Sequence, residues 1–197
     1  MTDLSKKSAS AFSTLGARNF AKESRQEHDF YATDPVAIEL LLDELQFEKD
    51  VWECACGKGH ISEVLKAHGY NVFSSDLIKR GYEDEQIDFL KSERRWRGAI
   101  ITNPPYRHAL AFTKKALESV YDGNHVVMFL RLLFLEGKER RAFFEKFPPK
   151  QIYVSSNRIA CAKDGDFEKG GKTKAVCFAW FVWQKGFLGE PTIRWFN

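Results

Sequence analysis

Short apolar runs about one strand long alternate, along most of this chain, with segments whose apolar residues recur every three or four positions. The first helical segment carries Val36, Ile38, Leu40, Leu41, Leu42 and Leu45, with Thr33 or Asp34 as its cap and Pro35 at its first position. A strand over Asp50 to Cys56 follows, then a Gly-bearing turn and a helix from about His60 to His68 that Gly69 closes. "YNVFSSD" reads as the next strand. After a charged segment containing "IDFL", the β-branched run at Ile100 and Ile101 forms another, stopped by Asn103-Pro104-Pro105-Tyr106. A helix from about His108 to Val120 ends at Asp122-Gly123, and "HVVMFLRLLFL" comes next. A last helix, Lys138 to Phe147, stops at Pro148-Pro149. "QIYVSSNRI" and "AVCFAWFVWQK" are two further strands, joined by the charged, Gly-rich loop "ACAKDGDFEKGGKTK".

Strands that alternate with helices and do not repeat predict an α/β fold: a doubly wound, mostly parallel sheet with helices on both faces. The last two strands lack a connecting helix, so they are expected as a C-terminal antiparallel hairpin. Residues 1–28 are Ser, Lys and Ala rich and read as a mobile N-terminal arm with a short helix around Ala11 to Ala21. Residues 29–197 read as a single catalytic domain, since 197 residues are too few for two comfortable cores.

Composition changes this picture little. A hydrophobic fraction of 44% against 29% charged residues excludes wholesale disorder. A net charge of +3 tolerates a nucleic-acid partner without demanding one. Cys54, Cys56, Cys161 and Cys177 form no C-x-x-C pair, so no metal site is expected and the cysteines read as reduced. The N-terminus lacks the apolar stretch of a secretion signal, and no run approaches the ~18 apolar residues of a membrane span. The expectation is a soluble, cytoplasmic protein.

Ligands of doubly wound sheets bind beyond the carboxyl ends of the strands, so the strand-ending turns are the places to search. In "VWECACGKGHIS", Gly57 and Gly59 let the backbone approach a ligand closely. The same glycines also suit a tight turn with no ligand. Asp76 ends the next strand, where a carboxylate can accept both hydroxyls of a ribose or cap a helix instead. Glu53 is costly inside a strand unless it finds donors, either the turn's N–H groups or a ligand ammonium. Ser62 stands where a third glycine would complete a pyrophosphate-gripping fingerprint, which favours a phosphate-free nucleoside.

The Asn103-Pro104-Pro105-Tyr106 turn is stiff, because each residue before a proline is driven out of the helical region. It brings the Asn103 side-chain carbonyl beside the backbone carbonyl of Pro104, with Tyr106 as a flat wall. Two acceptors and a ring suit a planar –NH₂ group on an aromatic base.

With that turn downstream of an acidic Gly-rich turn, the sequence resembles the class I S-adenosylmethionine-dependent amino-methyltransferases. The nearest resemblance is to the adenine-N6 DNA methyltransferases carried by phages and prophages, and it covers the chain from about Asp29. It implies a Rossmann-like fold, S-adenosyl-L-methionine as cofactor, and nucleic acid, with DNA favoured, as partner. By this resemblance Asn103, Pro104, Pro105 and Tyr106 are catalytic. Glu53, Ala55, Cys56, Gly57 and Gly59 form the methionine-binding turn, with Ala55 where many members have glycine. Asp76 holds the ribose, and Asp88 and Phe89 edge and cover the adenine. Tyr31, Thr33 and Pro35 belong to the N-terminal cofactor element, interrupted here by Asp34, and Asn103 borders the cofactor. The motif order is the gamma arrangement.

Because the chain has little room for a recognition domain, target choice is expected to be relaxed or short. Contacts are assigned to the N-terminal arm and to the loop from Ala160 to Lys174. In that loop Lys163, Lys169, Lys172 and Lys174 either meet phosphates or form a plain solvated turn, and Phe167 either stacks on a flipped base or anchors the loop. Arg131 reads either as a strand-end residue facing the pocket or as half of a buried ion pair. Three alternatives stand beside the DNA reading: an RNA amino-methyltransferase, a protein-glutamine methyltransferase, and a catalytically silent nucleic-acid-binding module.

Overall fold

The structure is a computed structural model and describes residues 31–157, 159, 161–163 and 176–196. The expected arm, and the loop residues Phe167, Lys169, Lys172 and Lys174, lie outside the described residues.

In chain order the elements are β1 (Tyr31–Thr33), α1 (Pro35–Glu44), β2 (Asp50–Glu53), α2 (His60–Ala67), β3 (Asn71–Asp76), β4 (Glu85–Gln86), β5 (Ala99–Thr102), α3 (Ala109–Ser119), β6 (His125–Arg131), α4 (Lys138–Lys146), β7 (Gln151–Ser155), β8 (Cys161–Lys163), β9 (Phe178–Gln184) and β10 (Thr192–Phe196). The main sheet runs β10-β7-β9-β6-β5-β2-β3-β4, and all neighbours are parallel except β9, which is antiparallel to both β6 and β7. The expected C-terminal antiparallel pair is therefore β7 with β9. β1 and β8 form a separate two-stranded ribbon, with Thr33 opposite Cys161.

Strand alternation divides the core in two. Trp52, Ile100, Val126, Met128 and Phe181 face α3 and Phe143 of α4. Val51, Ile101, Val127, Phe129 and Trp180 face α1 and α2. Helices thus cover both sheet faces, as the sequence pattern requires. The Trp180 indole N–H donates to the Ala37 carbonyl at 2.8 Å, pinning α1 on β9.

Four details differ from the sequence reading. β2 ends at Glu53 rather than Cys56, because the chain bends into the Gly turn immediately afterwards. α1 buries Ala37, Ile38 and Leu41, while Val36 faces solvent; Asp34 is the cap and accepts from the Val36 N–H. The stretch at Thr192–Phe196 forms an edge strand parallel to β7, a strand the pattern does not reveal. Part of the presumed loop, Cys161–Lys163, is the strand β8.

Candidate active site

The sheet reverses its winding between β2 and β5: β3 and β4 lie to one side, β6 to the other. At that switch point, beyond the carboxyl ends, lies a cleft of about 300 Å³. Its lining includes Tyr31, Thr33, Glu53, Ala55, Cys56, Asp76, Asp88, Phe89, Asn103, Pro104, Pro105 and Tyr106. Three sequence-assigned residues, Pro35, Gly57 and Gly59, are set back from that lining. His60, Ile78, Arg107 and Phe112 contribute to it without having been assigned from sequence.

The glycines shape the turn instead of lining the cleft. Gly57 (φ 58°) and Gly59 (φ 83°) both adopt left-handed backbone that other residues disfavour. The Gly57 N–H donates to Asp76 Oδ2 at 2.8 Å, and the Cys56 N–H donates to the Ser75 carbonyl at 3.0 Å. These bonds tie the turn after β2 to the end of β3. A Cβ at Gly59 would run into the ring of Tyr82, which lies against the turn from outside and donates its hydroxyl to Glu63. Asp76 also accepts the Ile78 N–H at 2.9 Å, so both its oxygens are oriented by backbone.

Glu53 is buried at the end of β2. Its partner is neither the turn's N–H groups nor any lysine, but the Ser62 hydroxyl, which donates to Oε2 and is itself 2.8 Å from the Ser74 hydroxyl. Ser62 thus occupies the place of the third glycine of a dinucleotide fingerprint and supplies a hydroxyl there. Burial, opposed by Ser62 and reinforced by the nearby Asp76 carboxylate, pushes the Glu53 carboxyl up to about 8. A cationic ligand group beside it would reverse that shift.

Burial also raises the Cys54 and Cys56 thiols well above their usual range, so neither is a nucleophile. At the mouth, burial and then Lys58 hold His60 below the usual histidine value.

Asn103 directly follows β5, and β1 fixes its amide. Its Nδ2 donates to the Tyr31 carbonyl at 2.9 Å and to Thr33 Oγ1 at 3.0 Å. Both amide hydrogens are thereby used, and the buried Oδ1 has no hydrogen-bond partner. A buried acceptor without a donor is a polar group held ready for one. Tyr106 stands beside it, with the rings of Tyr31 and Phe178 centred 5.7 and 5.6 Å away. Arg131, exposed at the end of β6, lays its guanidinium 4.6 Å from the Tyr106 ring centre. It sits at a strand end, against the Tyr106 ring and outside the cleft lining itself, and its exposure excludes the buried ion pair. Asp88 lines the cleft with its carboxylate 2.9 Å from Lys91 Nζ, and buried Phe89 packs edge-on against Trp52.

Among the described residues no group of three or more His, Cys, Asp or Glu is placed to hold a metal, and no helix is long and apolar enough to cross a membrane.

No family model matches the sequence. No curated protein matches it either. Solved structures do resemble it. A candidate RNA methyltransferase from Pyrococcus horikoshii superimposes with a TM-score of 0.52 at 17% identity, over 76% of this chain and 79% of the other. A predicted O-methyltransferase from Agrobacterium tumefaciens gives 0.56 at 12% identity, over 83% and 85%. The M protein of the type I restriction enzyme EcoKI gives 0.56 at 14% identity, over 81% of this chain and 44% of that one. What this chain shares with them is the fold of a class I methyltransferase.

Proposed function

We propose that the protein transfers a methyl group from S-adenosylmethionine to the exocyclic N6 of adenine in DNA, at a short or degenerate target. The observation that carries this reading is Asn103: its amide hydrogens are committed to β1 and its buried oxygen has no donor. Such an oxygen beside Pro104 and Tyr106 fits an aromatic amino group. The buried carboxyl of Glu53 and the Asp76 carboxylate, close to Ala55 in the lining, fit a nucleoside carrying an ammonium. The shared fold is borne by proteins named for RNA methylation and for DNA restriction alike, so the choice of DNA rests on the resemblance of the Asn-Pro-Pro-Tyr turn and the motif order. Arg107 in the cleft lining and Arg131 over the Tyr106 ring suit a polyanion.

The residues divide the work as follows. Asp76 holds the ribose hydroxyls with lone pairs left over from the Gly57 and Ile78 bonds. Asp88 edges the cofactor's adenine, and Phe89 and Phe112 wall it. Glu53 ionises as it meets the ammonium. The bound cofactor supplies an electrophilic methyl group. Asn103 Oδ1 and the Pro104 carbonyl accept the two hydrogens of the target amine, turning its lone pair out of the ring and stabilising the positive charge that grows on nitrogen. Tyr106 stacks on the base, worth ~1–3 kcal/mol. An amide oxygen is too weak a base to keep the extra proton, which passes to solvent.

The test is transfer of tritiated methyl onto DNA, RNA and protein in parallel, with nucleosides identified by mass spectrometry, for the wild type and Asn103→Ala. N6-methyladenine in DNA, reduced about 10²–10³-fold in the variant, is the expected result. Label found only in RNA or protein would reject the acceptor.

A further inference from the structure

The chain directly after β6 has a character that no requirement of the fold explains. Residues Leu132–Leu135 form a single tight turn in which inward and outward side chains alternate. Leu132 packs against the core, and buried Phe134 meets Phe144 and Phe181 edge-on. Leu133 and Leu135 point the other way, with 61% and 41% of their surface exposed. The Leu132 N–H donates to the Cys177 carbonyl at 2.8 Å, and the Glu136 N–H to the Leu133 carbonyl at 3.0 Å, so both ends of the turn are tied. Leu133 is therefore an exposed apolar knob on a fixed base.

Its position is as telling as its exposure. Arg131, whose guanidinium covers the Tyr106 ring, is two residues away, so their Cα atoms lie within about 7 Å. Arg140 lies 5.6 Å from the Phe134 ring centre, and its Nε donates to the Glu136 carbonyl. Neither guanidinium has a carboxylate within 4.0 Å among the described residues. An exposed leucine two residues from the guanidinium that covers the pocket-lining ring of Tyr106 matches a nucleic-acid duplex: apolar toward the stacked bases, positive toward an adjoining phosphate.

We propose that this turn opens the duplex. Leu133 enters the stack at the position the target base leaves, and Arg131 swings off Tyr106 as the extruded base takes its place, moving its charge to the adjoining phosphate. A stacked base reaches Asn103 only when it is extruded or already single-stranded, and apolar wedges are a known way of unstacking a step. The inference rests on the DNA reading given above.

The test compares methyl transfer onto adenine-unmethylated plasmid DNA, as duplex and after heat denaturation, for the wild type, Leu133→Ala, Leu133→Met and Arg131→Ala. Thermal melts confirm folding, which the exposure of both residues favours. Leu133→Ala is expected to lower kcat/KM on duplex at least tenfold relative to denatured DNA, with Leu133→Met restoring most of the ratio. Arg131→Ala is expected to lower the same ratio and flatten the salt dependence of binding. If the wild type methylates DNA but Leu133→Ala leaves the duplex-to-single-strand ratio unchanged, the wedge is refuted and the acceptor reading stands. If both substrates lose activity equally and sedimentation shows a change of oligomeric state, Leu133 is a subunit contact and the proposal is wrong. A wild type that labels neither form of DNA overturns the wedge and the acceptor reading together.

Discussion

Replacing Glu53 by Gln should change how stability depends on pH, and the sign follows from burial. The wild-type carboxyl titrates near 8 in the folded protein against 4.5 for the ordinary group. The folded state therefore holds a proton that the unfolded state has already lost. Below pH 4.5 both states are protonated and Glu53 costs nothing. Between 4.5 and about 8 the unfolded state gains from ionising, and stability falls as pH rises, by up to about 1.4 kcal/mol per pH unit. From pH 5 to pH 8 the loss attributable to this one group is about 3–4 kcal/mol, a large part of a typical domain's stability. Glutamine keeps the shape and still accepts from Ser62, but does not titrate. Urea unfolding at pH 5, 6, 7 and 8 gives the comparison, and subtracting the two profiles cancels every other group. Parallel profiles, differing by less than about 1 kcal/mol in slope over that range, would refute a buried neutral Glu53. Linkage makes a second demand: if a cofactor ammonium ionises Glu53, binding releases a proton. Cofactor affinity should then rise with pH up to about 8 in the wild type and not in Glu53→Gln.

Other expectations follow from the same cleft. Asp76→Ala removes the acceptor of the Gly57 and Ile78 N–H groups and bonds worth ~1.5–3 kcal/mol to a ribose, so calorimetry should show cofactor affinity lower by one to two decades; unchanged affinity would reject the assignment. Gly59→Ala combines left-handed strain of ~1–2 kcal/mol with overlap against Tyr82, and Tyr82→Ala relieves only the overlap. A double-mutant cycle by urea unfolding should therefore show favourable coupling, and additivity within ~0.5 kcal/mol would contradict the packing. Among Cys54, Cys56 and Cys177, iodoacetamide should modify exposed Cys177 first, as peptide mapping can show; rapid labelling of Cys56 would contradict its raised thiol.

The alternation of strand and helix was legible because each element's apolar spacing is local, and Asp34-Pro35 marks the start of α1 as the cap rules require. The site was legible in its types and not in its bonds. Glu53 was recognisable as a carboxylate in need of a donor, but Ser62 reaches it only once α2 folds back over β2. The orientation of Asn103 depends on Tyr31 and Thr33, some seventy residues earlier, across a pairing that local pattern cannot encode. β10 escaped notice because four of its five residues face solvent, so it lacks the alternation of a half-buried strand. Tyr82 carried no motif; only the space above Gly59 reveals it.

The placement of β9 has a bearing on how the molecule is assembled. It is the one strand of the main sheet that enters between two others already synthesised, separating β6 from β7, and six of its seven residues are wholly enclosed. Until residues 178–184 leave the ribosome, β6 presents an open, apolar edge and β7 has no neighbour on that side. The nascent chain can build the half from β2 to β6, site included, yet must guard an adhesive border for about fifty further residues. Closure of that border by β9, long-range on both flanks, is the natural candidate for the slow, aggregation-exposed step of folding. A ribosome stalled before Phe178 would therefore hold a nearly complete pocket on a half-finished sheet.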